Sequence, residues 1–131
     1  MISASSYPRP HNRVFNALCG VGFIALIALI TQQSLVPAAG VGFSYWDKLM
    51  HFAAYFGVAV ALGMTVPKMQ LLWVIVLTAF WGGAVEIAQG TLGTGRSMSL
   101  ADQVANSAGA ISGAIALLMI SKLWSLLKAR D

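Results

Sequence analysis

Apolar positions along the chain gather into four long runs, separated by short breaks that hold proline, glycine or polar residues. The runs cover Val14 to Val36, Trp46 to Val66, Met69 to Ala88 and Asp102 to Ile120. Each approaches the roughly 20 residues a helix needs to cross a bilayer. Pro37 closes the first run, Pro67 separates the second from the third, and Gly90 to Ser99 reads as a loop. A chain buried in lipid must satisfy its backbone hydrogen bonds internally, so these runs predict helices rather than open strands. The expected fold is all-α, a four-transmembrane-helix bundle in a single membrane domain over 14–121. Tails at 1–13 and 122–131 flank it, and Leu123 to Leu127 carries the last helix on as an interfacial extension with Trp124 at headgroup level.

Composition sharpens this picture. Of 131 residues, 58% are hydrophobic and 9% charged, against about 25% charged in a soluble domain. That balance excludes a second folded soluble domain. The net charge of +4 comes from basic residues that flank the apolar runs, the pattern of membrane topology rather than of nucleic-acid binding. With the N-terminus cytoplasmic, Arg9, Arg13, Lys68, Lys122, Lys128 and Arg130 share one side against Lys48 and Arg96 on the other. Six against two predicts a multi-pass protein of the inner (cytoplasmic) membrane with both termini cytoplasmic.

The first run carries the outlines of two processing signals. Arg9 and Arg13 before an apolar core, with Leu35-Val36-Pro37-Ala38 after it, follow the outline of a signal peptide. The core is too long, however, and Thr31-Gln32-Gln33 precedes the cut, so the helix is expected to stay. Leu18-Cys19 is no lipoprotein box, because leucine is too large before the cysteine. Cys19 is the single cysteine, which leaves no disulfide framework or paired-cysteine metal motif. Small-residue stripes at Ala53, Gly57 and Ala61 and at Gly109 and Gly113 are expected to bring helices together.

The polar residues carry the candidate chemistry. Asp47, Lys48 and His51 open the second run, Glu86 and Gln89 close the third, Arg96 lies in the loop, and Asp102 and Asn106 open the fourth. A helix rises about 1.5 Å per residue, so His51, Glu86 and Asn106 all fall about 6 Å inside their helix ends. The pairs Asp47 with His51, Glu86 with Gln89 and Asp102 with Asn106 each share a helix face. Three helices thus present polar faces at one depth, on the outer side, where ionisable residues in a bundle point to function.

These same residues resemble the VanZ-like family, named after a small membrane protein associated with teicoplanin resistance. The order Asp47-Lys48-Leu-Met-His51, Glu86-Ile-Ala-Gln89, Arg96, Asp102 with Asn106, then Gly109 is specific as a set, and the likeness runs from Asp47 to Gly113. The first run matches only as an apolar span. The resemblance implies a four-helix membrane protein tied to the cell envelope, with links to glycopeptide tolerance or to exopolysaccharide. It supplies no settled reaction.

Several activities fit the constellation. In the first, the site binds a membrane lipid or lipid-linked envelope precursor: Arg96 and Lys48 face phosphate, and Gln89 and Asn106 bond sugar or amide groups. Asp47, Glu86 and Asp102 hold the bases, and Phe43, Tyr45 and Trp46 lie at headgroup height. In the second, a membrane-surface hydrolase or transferase uses His51 as base, oriented by Asp47, with Glu86 as acid and Arg96 stabilising negative charge. No nucleophile stands out, since Ser97 and Ser99 read as loop serines. A metal held by Asp47, His51, Glu86 and Asp102 is a variant of this, opposed by Lys48 and Arg96. In the third, Glu86 carries protons, although the cytoplasmic half of every run is apolar. A structural ion-pair network, with Arg96 neutralising Glu86 or Asp102, is the remaining reading. No cofactor, metal or nucleic-acid partner is implied, and the oligomeric state is left open.

Overall fold

The computed structural model describes residues 12–36, 44–93 and 95–130. Most of the N-terminal tail with Arg9 and His11, together with Pro37, Phe43 and the terminal Asp131, lies outside the described residues. Four helices follow in order: α1 (Arg13–Leu35), α2 (Tyr45–Thr65), α3 (Leu71–Thr91) and α4 (Leu100–Lys128), with no strand among the described residues. All four are long and apolar enough to cross a membrane. The chain is an all-α, multi-pass membrane protein.

The helix ends follow local chemistry. Asn12 starts α1, its Oδ1 accepting from the Val14 and Phe15 N–H groups at 2.9 and 3.2 Å. After α2, Pro67 sits in a turn closed by the Met69 N–H on the Val66 carbonyl at 2.9 Å. Met69 and Gln70 therefore belong to the turn, and α3 begins two residues later than the apolar run. At its other end α3 runs past Gly90 to Thr91. The stop is Gly93, whose φ of +64° is the left-handed conformation that ends helices and that glycine adopts without strain. Ser99 starts α4 by accepting from the Asp102 N–H at 3.2 Å, so that helix, unlike α3, opens two residues before the run. Its 29 residues reach about 43 Å at 1.5 Å each, beyond a hydrocarbon core of about 30 Å. The overhang carries Trp124, with the Lys128 ammonium 5.5 Å from its ring centroid.

The bundle is built on α2 and α4, the most extensive pairing in the molecule. Gly109 and Gly113 make it possible. A Cβ on Gly109 would press on the Phe52 carbonyl oxygen and sit 2.9 Å from the Phe56 nitrogen. One on Gly113 would lie 2.7 Å from Ala59 Cβ and 2.8 Å from the Phe56 oxygen. The stripe expected on α2 behaves otherwise: Ala53 is exposed, and Gly57 has only Leu26 of α1 near it, at 3.8 Å. The close approach is thus one-sided, glycines of α4 against the backbone of α2 between Phe52 and Val60. Helix α3 joins through Gln103, whose Nε2 donates to the Ala79 carbonyl at 3.1 Å. Helix α1 lies outermost, buries little of its length, and packs chiefly on α2. Asn16 pins it at one end, its Nδ2 donating to the Met64 carbonyl at 2.6 Å.

Candidate functional site

The other end of the bundle holds the polar residues. Asp47 and Asp102 occupy the first turns of α2 and α4, where the helix dipole favours a carboxylate. Lys48 lies between them. Its ammonium is 3.0 Å from Asp47 Oδ2 and is also bonded to Asp102 Oδ1, so one lysine joins the starts of the two helices. It is a bridge inside the bundle, with its side chain 20% exposed.

His51, one turn below Asp47, directs Nδ1 to the carboxamide oxygen of Asn106 at 2.9 Å. Nε2 is turned toward Asp47 Oδ1 at 4.0 Å and Asp102 Oδ2 at 3.9 Å, beyond hydrogen-bond range of both. The acid paired with His51 by spacing alone, Asp47, is therefore not its hydrogen-bond partner; Asn106 of another helix is. Asn106 fits because position 82 is glycine: a Cβ there would lie 2.9 Å from Asn106 Nδ2 and 3.1 Å from Tyr55 Cε1.

Glu86 and Gln89 are buried on α3 and turn to other tasks. Glu86 Oε2 accepts the Ser99 N–H at 2.9 Å, tying the end of α3 to the start of α4. Its Oε1, like Asn106 Nδ2 and the Tyr55 hydroxyl, is buried without a hydrogen-bond partner among the described residues. Gln89 Nε2 donates to the Ser34 carbonyl at 2.8 Å. Arg96 neutralises neither Glu86 nor Asp102, the partners its loop position suggested. Its Nη2 lies 3.9 Å from Asp47 Oδ1, and its Nη1 donates to the Gln33 carbonyl at 3.2 Å.

The first helix thus takes part in the site, contrary to its reading as an apolar span alone. Its last turn offers carbonyls that have no partner within the helix, and Gln89 and Arg96 take two of them. The polar cluster Thr31-Gln32-Gln33-Ser34 was the signal for this, since four polar residues close an otherwise apolar run. Ser99 was missed likewise; its spacing to Asp102, three residues ahead of an apolar run, marks a helix cap.

A cavity of about 370 Å³ opens beside this cluster, between α1 and α2. At one end its wall is Asp47, Met50, His51, Arg96 and Gln33; farther in it is Leu26, Leu29, Ile30 and Ala54. Lys48, Asp102 and Asn106 stand behind that wall as supports. Ligand atoms of Asp47, His51 and Asp102 lie within 4.8 Å of one another, close enough to hold a cation. The cation between the two carboxylates is the Lys48 ammonium, and Glu86, the fourth ligand suggested by sequence, faces Ser99 instead.

Fold and site together define a four-helix membrane protein with a charged, buried cluster at one end. The chain belongs to the VanZ/LLP1 family, whose model matches residues 4–122 and so takes in all of α1 to α3 and most of α4. No curated protein and no solved structure matches it.

Proposed function

We propose that the protein recognises a cell-envelope amphiphile, a lipid-linked glycan or a phospholipid, holding its headgroup at the outer face of the cytoplasmic membrane. The observation that carries this is the change along the wall of the α1–α2 cavity, from Arg96, Asp47 and His51 to Leu26, Ile30 and Ala54. A cavity polar at one end and apolar at the other suits a molecule with the same division. Arg96 is the phosphate-facing group, because its planar guanidinium forms paired bonds to phosphate oxygens. Lys48 is committed to the carboxylates and holds the floor. In this reading both termini are cytoplasmic, and the link to glycopeptide tolerance or exopolysaccharide lies in handling of an envelope precursor.

A structural network is the second reading, favoured by the Lys48 bridge between Asp47 and Asp102. The hydrolase or transferase reading draws on His51 and Glu86 but lacks an Asp47–His51 hydrogen bond. The deciding experiment is mass spectrometry of lipids that co-purify with the wild type and with Arg96→Ala. A lipid-linked or phosphorylated species enriched on the wild type and lost from the variant supports headgroup binding. Identical lipids on two equally folded proteins would leave the ion-pair network as the better account.

A further inference from the structure

A second cavity, of about 320 Å³, lies deeper in the bundle and is lined by Phe23 and Ile27 of α1, Val58 and Leu62 of α2, and Leu77 and Trp81 of α3. Its relation to the first cavity is set by helical spacing. Along α2 the first is walled by Asp47, His51, Ala54 and Tyr55, and the second by Val58 and Leu62. Steps of three, four or seven residues keep these positions on one helix face. Along α1, Ile30 of the first cavity and Ile27 and Phe23 of the second are also three or four residues apart, while Leu26 of the first lies beside Ile27 of the second. The two cavities therefore share one face of α2 and adjoin on α1 at Leu26 and Ile27, where their walls overlap in depth.

The geometry points to one seat for a whole amphiphile: phosphate at Arg96, and a single long hydrocarbon chain running down the α1–α2 seam into the cavity bounded by Leu62 and Trp81. This rests on the headgroup reading above and adds a seat for the tail, which narrows the ligand to a lipid phosphate with one long chain rather than a short-chain compound. Three observations support that occupant. From His51 to Leu62 the seam spans about 16 Å at 1.5 Å per residue, close to the roughly 15 Å that is half of a bilayer's hydrocarbon core. Thr78 apart, the residues lining the deeper cavity are apolar, and the surface it exposes is apolar throughout, as a hydrocarbon requires. And α1, which with α2 walls both cavities, is the least buried helix, so a chain can enter sideways from the membrane without crossing the α2–α4 core.

Alkyl phosphates with a photoreactive diazirine at the chain end test this in the full-length protein, with labelled peptides mapped by mass spectrometry. A hexadecyl probe is expected to label around Phe23 or Leu62, and an octyl probe around Leu26 or Ala54. Arg96→Ala should reduce both at least tenfold. Leu62→Trp, which fills the deeper cavity, should abolish the hexadecyl labelling there and leave octyl labelling unchanged, which also shows that the variant is folded. If octyl labelling depends on Arg96 but the hexadecyl probe marks only lipid-facing residues such as Leu72 and Met119, the tail seat is wrong and the headgroup reading stands. If neither probe responds to Arg96→Ala, both are wrong.

Discussion

Lys48 shows how one side chain sets the electrostatics of the polar end. Two carboxylates, Asp47 and Asp102, face it, with side chains 27% and 12% exposed. Removing one partner of such a group leaves the others poorly compensated, a cost of several kcal/mol when the group is fully buried. Partial exposure lowers it, so Lys48→Met should destabilise by about 2–3 kcal/mol, read as a fall in thermal midpoint in detergent. Adding Asp102→Asn should recover part of the loss, because the two sites are coupled. A Lys48→Met protein as stable as the wild type would mean the carboxylates are held by other groups. Residue identity at this end was legible from spacing, since i, i+4 pairs on three helices share one depth. The partners were not. A lysine or arginine side chain is long enough to reach any of several carboxylates, and only the packed helices select Asp102 for Lys48 and the Gln33 carbonyl for Arg96.

At the scale of elements, the α2–α4 contact depends on the missing side chains of Gly109 and Gly113. Backbone atoms of α2 stand where a Cβ would be and cannot yield as a flexible side chain can, so Gly109→Ala should cost about 2–3 kcal/mol, in the range of overpacked cores. Gly57→Ala is the control. With its nearest neighbour, Leu26 Cδ1, at 3.8 Å, the change should be neutral or stabilising by up to about 1 kcal/mol, because alanine favours the helix. Equal losses in the two variants, measured by unfolding in detergent, would show that the glycines of α4 do not set the interhelical distance. Both stripes were visible in the sequence as small residues four apart. Which faced a neighbouring backbone was not, because lipid, another helix and open space leave the same pattern of small residues on a helix.

For the whole molecule, the question is which side of the membrane holds the polar end. In the proposed reading that end lies outside, as the excess of basic residues beside Lys68 and both termini predicts. In a Cys19→Ala background, Ser97→Cys should react with an impermeant thiol reagent in intact cells, and Gln70→Cys only after the membrane is opened. Both positions are suited to this, since Ser97 and Gln70 are exposed and lie in opposite connections of the bundle. The reverse pattern would move the site to the cytoplasmic face and with it the class of ligand. By itself the sequence determined that the chain makes four membrane-length helices, that its polar residues gather at one end, and to which family it belongs. Those properties follow from hydrophobic run length, proline and glycine breaks and residue order, which are local along the chain. Only the tertiary structure decided that α1 lends backbone carbonyls to the site, that His51 pairs with Asn106, and that a cavity opens between α1 and α2 beside the polar cluster. Each joins positions far apart in sequence, and such contacts exist only once the helices have packed.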